Sequence, residues 1–412
     1  MQKTLAKILK RPFLVILHLV SGLIPRDRTL WIFGSWNGAR FADNARAVFL
    51  RAVQDKHVRC AWLSSNTDVI NRLRAAGLPA YHTNSLQGLW LRLRAGVYVF
   101  DAYSLDLGYW GSLGAKKVNL WHGMPIKKIQ SDIDIPFHPM HRAYHGPFLE
   151  RIIRRMWSPW LYEKPDLMIA TSPCMQRILS GAFRIPVTRI PITGYPRIDS
   201  LVAQNGSPSP LDAEWASKMI DMRSSGVKIL AYLPTFRDCT ASDHTIPIEW
   251  DEFNALLQKR NAVLLLKLHS NDVARLPDLT RYSNILLADH HVDFTPLLRW
   301  VDVLITDYSS VWVDFLVLNR PIVFFAYDLD EYLAQSRSMY FDYISVTPGP
   351  KARNFAELVS ILDSILIGHY DDQWAAERQE RLAQFYSRID DRAAERVCHE
   401  LYRHFVRRDM GK

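Results

Sequence analysis

Cysteine is scarce: four residues, Cys60, Cys174, Cys239 and Cys398, are spread over 412 positions. No two have the short spacing of a metal knuckle and nothing suggests a disulfide framework, so they read as ordinary thiols of a reducing compartment. The chain also lacks a Gly-rich dinucleotide fingerprint, a Walker loop, an internal repeat and a low-complexity tract. Its N-terminal apolar run of about 12 residues falls short of the roughly 20 that span a bilayer. Hydrophobic residues make up 48% and charged residues 23%, which excludes a disordered chain, a collagen and a coiled coil. Aromatics are abundant, with 13 Trp, 17 Tyr and 18 Phe. The length suits two domains.

The formal charge of +9 is unevenly placed. Residues 1–165 hold 24 Lys/Arg against 10 Asp/Glu, whereas residues 166–412 hold 27 against 32. An anionic partner is therefore expected at the N-terminal half. Lys3, Lys7, Lys10 and Arg11 precede the run Phe13–Val20, an arrangement like a signal peptide but with no small-residue cleavage site after it. Leu5, Ile8, Leu9, Phe13, Ile16, Leu17 and Val20 recur at helical spacing, which predicts an interfacial amphipathic helix over 1–24, kinked or restarted at Pro12. A second stripe, Phe148, Ile152, Ile153, Met156, Trp157 and Trp160, is flanked by Arg151, Arg154 and Arg155. Together these predict a surface for an anionic bilayer, because Trp suits the headgroup layer and each Lys or Arg adds about 1 kcal/mol of attraction. Basic residues beside Trp/Ile stripes, with no recognised module, argue against a nucleic-acid partner.

Short apolar runs predict strands at Leu30–Phe33, Ala61–Ser64, Val97–Phe100, Val118–Trp121, Leu167–Ala170 and Arg189–Thr193, then at Ile229–Leu233, Val263–Leu268, Ile285–Ala288, Val303–Thr306 and Pro321–Ala326. Most lack polar alternation, as parallel strands buried on both faces do. Helical stretches such as Asp251–Lys259 and Ser309–Leu318 intervene, so the class is α/β, doubly wound. The turn-rich stretch 203–209 marks a boundary. The expected organisation is a membrane-associating segment 1–24, a Rossmann-like acceptor-side domain 25–202, a linker 203–225, a Rossmann-like donor domain 226–372 and a helical region 373–412.

Ligands of open parallel sheets bind beyond the carboxyl ends of strands. At those tips stand His122, the Thr193–Arg197 segment, Pro234-Thr235, His269 and Asp307-Tyr-Ser-Ser310. A strand-tip histidine accepts a proton near neutral pH. Ser309 and Ser310 open a helix whose N–H groups favour phosphate, and Asp314 lies one turn further on. His138, His141 and His145, the Asp289–Asp293 stretch and the Asp-x-Asp tripeptides at Asp132 and Asp328 have the look of metal ligands but read as polar loop residues.

Taken in order, Trp121-His-Gly-Met-Pro-Ile-Lys-Lys128, Thr193-Gly-Tyr-Pro-Arg-Ile-Asp199, Leu233-Pro-Thr-Phe-Arg237, Lys267-Leu-His269, Asp302-Val-Leu-Ile-Thr-Asp-Tyr-Ser-Ser310, the Asn319–Asp328 segment, Tyr340-Phe-Asp-Tyr343 and Pro348-Gly-Pro350 resemble the CDP-glycerol glycerophosphotransferase family of teichoic acid and capsule synthesis. The resemblance covers roughly residues 25–400. It departs near the end, where Asp390-Asp-Arg-Ala-Ala-Glu-Arg396 keeps the arginine of the family's Asp-Gly-x-x-Ser-x-Arg but not its Gly and Ser.

The resemblance implies a GT-B-like pair of Rossmann-type domains facing a cleft, peripheral on the cytoplasmic face of the bacterial cell membrane. It implies His122 as general base and His269 as a phosphate-stabilising partner. Gly123, Met124, Pro125, Ile126, Arg197, Pro234, Thr235, Arg237, Lys267, Leu268, Ser309, Ser310 and Asp314 match donor-binding positions. The implied reaction moves glycerol phosphate from CDP-glycerol to a hydroxyl of a lipid-linked or glycan acceptor, releasing CMP. No cofactor is implied and a divalent metal stays open. A CDP-ribitol-dependent transferase, a GT-B glycosyltransferase using a nucleotide sugar, and a non-catalytic membrane adaptor are the competing readings.

Overall fold

The computed structural model describes residues 2–203, 209, 211–235, 246–268, 273, 276–289, 292–335, 338–368 and 370–406, with the side chains of 1–11, 334 and 335 outside the described set. The chain forms two compact units. The first contains residues 1–122, 146–203 and 390–412, the second residues 123–145 and 204–389. The first unit therefore gives up residues 123–145 to the second and takes back the last helix, Ala393–Phe405.

The first sheet contains β1 (Asp27–Gly34), β2 (Arg59–Ser64), β3 (Ala80–His82), β4 (Ala95–Phe100), β5 (Lys116–Asn119) and β6 (Leu167–Met168), in the order β3-β2-β1-β4-β5-β6. The second contains β7 (Lys228–Tyr232), β8 (Ala262–Leu266), β9 (Ile285–Leu287), β10 (Val303–Thr306), β11 (Ile322–Phe325) and β12 (Lys351–Ala352), in the order β12-β11-β10-β7-β8-β9. Read from its other edge, the second repeats the order of the first. Both are the doubly wound Rossmann order, the pair of sheets of a GT-B-like fold. All pairings are parallel, with Ile32 opposite both Ala61 and Tyr98, and Leu304 opposite both Ala231 and Ile322. Every residue of β4, β8, β10 and β11 is buried, because helices cover both faces; this is why these runs are apolar but for Thr306, whose hydroxyl donates to the Leu233 carbonyl.

In each sheet the strand order reverses between the first and fourth strands, β1/β4 and β7/β10. The crevice at such a reversal is the ligand position of this fold. An aspartate follows the fourth strand in both cases: Asp101 after β4 and Asp307 after β10.

Three local expectations are corrected. The N-terminal helix does not restart at Pro12: it runs from Gln2 to Ser21 with the proline inside it. The run Arg189–Thr193 forms the end of a 3-10 turn, Val187–Arg189, and a single bridge from Ile192 to Ala170, not a strand, because Pro191 lies inside it and removes a ladder donor. The strand expected to reach Trp121 ends at Asn119, and Trp121 takes a left-handed φ of 56° that turns the chain towards His122.

Candidate active site

In the first unit, His122 is held through its backbone and its ring. Its Nδ1 lies 3.3 Å from the carbonyl oxygen of Asp101. The Nδ1–H tautomer favoured by that contact carries its lone pair on Nε2. Trp121 packs against the ring at 4.4 Å between centroids, and Trp36 stands edge-on at 6.1 Å. The turn before it is pinned by side-chain amides. Asn119 Oδ1 accepts Trp121 N–H at 2.9 Å, and Asn44 Nδ2 donates to the carbonyls of Trp121 and Leu120 at 2.8 and 3.3 Å.

Arg197 enters from the Thr193–Asp199 motif, where Gly194 at φ 82° permits the turn into the 3-10 segment Pro196–Ile198. Its Nη1 donates to Asp43 Oδ1 at 2.6 Å and to the His122 carbonyl at 2.8 Å. The residue is 7% exposed. Nη1 is thus engaged in an ion pair and a backbone bond inside the first unit. Asp101 is fully buried; burial, with Asp43 and Asp106 nearby, pushes its carboxyl well above the usual range. Its Oδ1 accepts Ala45 N–H at 2.9 Å, and its Oδ2 has no hydrogen-bond partner among the described residues.

In the second unit, Asp307 ties two strand tips together. Its Oδ1 accepts the N–H of Thr235 at 2.8 Å and of Ser309 at 3.1 Å, so the Pro234-Thr235 and Ser309-Ser310 tips share one carboxylate across the β7/β10 reversal. The Gly123–Ile126 segment lies beside them. A β-carbon on Gly123 would stand 3.0 Å from Ser310 Oγ, which is why the position suits glycine. Met124 and Ile126 are buried, and the segment is fastened by a bridge from Lys127 to Met339 and by bonds from Lys128 N–H to Ser338 and from Tyr340 N–H to Ile126, at 2.8 and 2.9 Å. Pro125 lies within that segment and Leu268 is buried.

Other predicted donor residues have local partners. Asp314, 3% exposed, accepts from Tyr386 Oη at 3.1 Å. Lys267 donates to the Val292 carbonyl. Of the two lysines that follow Ile126, which are not among those positions, Lys127 donates to Tyr332 Oη at 3.2 Å and Lys128 pairs with Asp134 at 2.6 Å. Arg237 and His269 lie outside the described residues. The metal lookalikes are also engaged: His141 and His145 face the carbonyls of Ile133 and Ser131, Asp132 accepts from Tyr340, and Asp328 accepts from Tyr308. Among the described residues no three or more His, Cys, Asp or Glu are grouped to hold a metal ion.

Sequence reasoning missed Asp43, Asn44 and Asp101. The available signal was an acid placed directly after an apolar strand, Val-Tyr-Val-Phe-Asp101, matching Val-Leu-Ile-Thr-Asp307. The divergent C-terminal segment has a local role. Asp199 accepts the N–H groups of Ala393 and Ala394 at 3.0 and 2.8 Å, capping the last helix, while Arg396 donates to the Thr193 carbonyl at 2.7 Å and pairs with Asp390. Burial pushes Asp199 up to about 7 despite those two bonds. Cys60 and Cys398 are half-buried thiols that desolvation pushes up to about 12, unsuited to thiolate chemistry.

The first unit carries two exposed apolar helix faces. Phe13, Ile16, Leu19, Val20 and Leu23 are exposed on and just after Gln2–Ser21, and Phe148, Leu149, Ile152, Ile153, Met156 and Trp157 on Phe148–Trp157. Their bases meet in one aromatic cluster: His18 stacks on Tyr109 at 4.5 Å, and Trp160 packs against Tyr109 and Trp110 at 6.0 and 6.3 Å. Trp160 is half-buried there, so it supports the two helices. Arg151 and Arg155 are exposed, whereas Arg154 pairs with Glu150 at 2.8 Å. Lys3, Lys7, Lys10 and Arg11 fall on the N-terminal helix, with side chains outside the described set. No helix among the described residues is long and apolar enough to cross a membrane.

The family described as CDP-glycerol:poly(glycerophosphate) glycerophosphotransferase matches residues 16–403. The chain is 26% identical over 412 residues to the teichoic acid glycerol-phosphate transferase of Staphylococcus aureus (strain NCTC 8325 / PS 47), covering 98% of this chain and 100% of that one. It is 29% identical over 374 residues to the teichoic acid poly(glycerol phosphate) polymerase of Bacillus spizizenii (strain ATCC 23059 / NRRL B-14472 / W23), covering 86% and 88%. Its fold is similar to the structure of the wall teichoic acid polymerase TagF, with a TM-score of 0.74 at 24% identity over 99% of this chain and 98% of that one.

Proposed function

The chain belongs to the CDP-glycerol:poly(glycerophosphate) glycerophosphotransferase family, and from that premise we propose how its residues carry the transfer. The donor is CDP-glycerol, and the acceptor is a hydroxyl of a lipid-linked or glycan chain in teichoic-acid-like polymer synthesis. That hydroxyl attacks the β-phosphorus; the bond from the β-phosphorus to the bridging oxygen breaks, CMP leaves, and glycerol phosphate remains on the acceptor.

The geometry of His122 carries the assignment of the base. With Nδ1 turned to the Asp101 carbonyl, Nε2 presents the lone pair that takes the acceptor's proton. General-base help of this kind contributes about 10²–10⁴-fold. On the donor side, Thr235, Ser309 and Ser310, joined by Asp307, and the adjacent Gly123–Ile126 segment supply hydroxyls and N–H groups for the diphosphate. Donors fixed in advance at the position of growing charge are the strongest electrostatic aid to such a transfer. His269 and Arg237 keep, through the family motif, the phosphate-facing roles.

The enzyme works as a peripheral protein on the cytoplasmic face of the cell membrane, where a lipid-linked acceptor is met. Two exposed apolar helix faces in the unit that holds the excess positive charge support that placement. The test of the activity is CMP release with a membrane extract as acceptor and CDP-glycerol, CDP-ribitol or a UDP-sugar as donor. CDP-glycerol is expected to give CMP and a glycerol-phosphate-bearing product. Release only with CDP-ribitol or a nucleotide sugar would transfer the assignment to that donor, and release with none would favour the adaptor reading.

A further inference from the structure

We propose that the buried Asp43–Arg197 ion pair is a positioning device for His122, acting through the histidine's main chain. The proposal rests on His122 being the base.

Three consecutive residues at the start of the Asp43–Ala52 helix hold the His122 turn at three places. Asp43 fixes Arg197, whose Nη1 also binds the His122 carbonyl. Asn44 binds the two preceding carbonyls, of Leu120 and Trp121, and accepts the Arg197 N–H at 3.1 Å. Ala45 N–H fixes the carboxyl of Asp101, and the Asp101 carbonyl faces His122 Nδ1. The other oxygen of Asp43, Oδ2, accepts Trp36 Nε1–H at 3.1 Å, and Trp36 stands against the His122 ring. One carboxylate therefore governs both a backbone anchor and a wall of the base.

Two further observations fit this role. Asp43 and Trp121 both adopt left-handed backbone, φ 64° and 56°, although each carries a β-carbon. Such conformations persist only where the surroundings over-determine them, and they gather at functional sites. The ion pair is also nearly fully buried, with side chains 6% and 9% exposed. Burying two charges gains little stability over an apolar pair of similar volume. Fixing the direction of a catalytic ring within a few tenths of an ångström is a use that an apolar pair does not serve.

The experiment compares Arg197→Ala, Arg197→Lys and Asp43→Asn, each alone and with His122→Ala. CMP release gives kcat and KM for CDP-glycerol, thermal unfolding reports the fold, and ¹⁵N-histidine NMR reports the His122 tautomer, its signals assigned by their loss in His122→Ala. Expected are a fall in kcat of about 10²-fold for Arg197→Ala, no further loss in kcat when His122 is already alanine, and a wild-type Nδ1–H signal that becomes a tautomer mixture in Arg197→Ala and Asp43→Asn. Asp43→Asn keeps volume and shape and serves where Arg197→Ala fails to fold. A raised KM with unchanged kcat would leave Arg197 without a positioning role and overturn the proposal. Additive losses with His122→Ala, or a folded Asp43→Asn with wild-type kcat and tautomer, would overturn it as well. A wild-type protein that releases no CMP from any donor would defeat the functional reading, while the NMR outcome still decides the positioning role.

Discussion

Arg197 donates to the carbonyl oxygen of His122 at 2.8 Å. One nitrogen of a buried cation is thereby turned inward, onto the backbone of the proposed base. Neutral hydroxyls and N–H groups gather around Asp307 in the second unit. Bulk positive charge lies elsewhere, in the first 165 residues.

Gly123 is expected to tolerate no side chain without disturbing Ser310. Alanine there places a β-carbon 3.0 Å from Ser310 Oγ, tighter than ordinary contact. Gly123→Ala should raise KM for CDP-glycerol and lower the melting temperature by a few degrees, and adding Ser310→Ala should restore much of the melting temperature by removing the Oγ. Steady-state kinetics and thermal unfolding of the single and double variants check this; an unchanged KM in Gly123→Ala would separate that position from the donor.

Asp199 predicts a pH dependence of stability. Its folded value, about 7, is above the ordinary 3.8 of an aspartate because burial outweighs its two bonds to the last helix. Between those values the folded state binds more protons than the unfolded chain, so this contribution is greatest below pH 4, falls as pH rises towards 7, and is level above it. Melting temperatures recorded between pH 5 and 8 should decline with pH for this reason, and Asp199→Asn should flatten the decline. An identical slope in the variant would place the titration elsewhere.

Membrane docking is expected to depend on both apolar helices. Deleting residues 1–24 should weaken sedimentation with vesicles containing anionic lipid and lower turnover of a lipid-linked acceptor. Ile153→Glu, on an exposed face, should weaken binding without lowering thermal stability, since no residue of that helix is buried. Raised salt should weaken the charge-dependent share of binding. Unchanged vesicle binding in both variants would remove these helices from the interface.

Much of the fold was legible because parallel strands covered on both faces are near-continuous apolar runs, as β4, β8, β10 and β11 are. The strands that escaped notice were too short to carry a period: β3 has three residues and β12 two, one of them Lys351. At the site, motif residues such as His122, Thr235 and Ser310 could be named in advance, since strand tips are where this fold places ligands. Their partners could not. Asp43 meets Arg197 across 154 positions of sequence and Asn44 meets Trp121 across 77, distances over which no local pattern speaks. The inward turn of Arg197 likewise follows from burial, which a motif match does not encode.

The most direct measurement is CMP release from CDP-glycerol, with a membrane extract as acceptor, by wild type and by His122→Ala at matched folded concentration. The account predicts release by the wild type and a rate lower by about 10²–10⁴-fold in a variant that melts normally. A His122→Ala protein that releases CMP at the wild-type rate would contradict it.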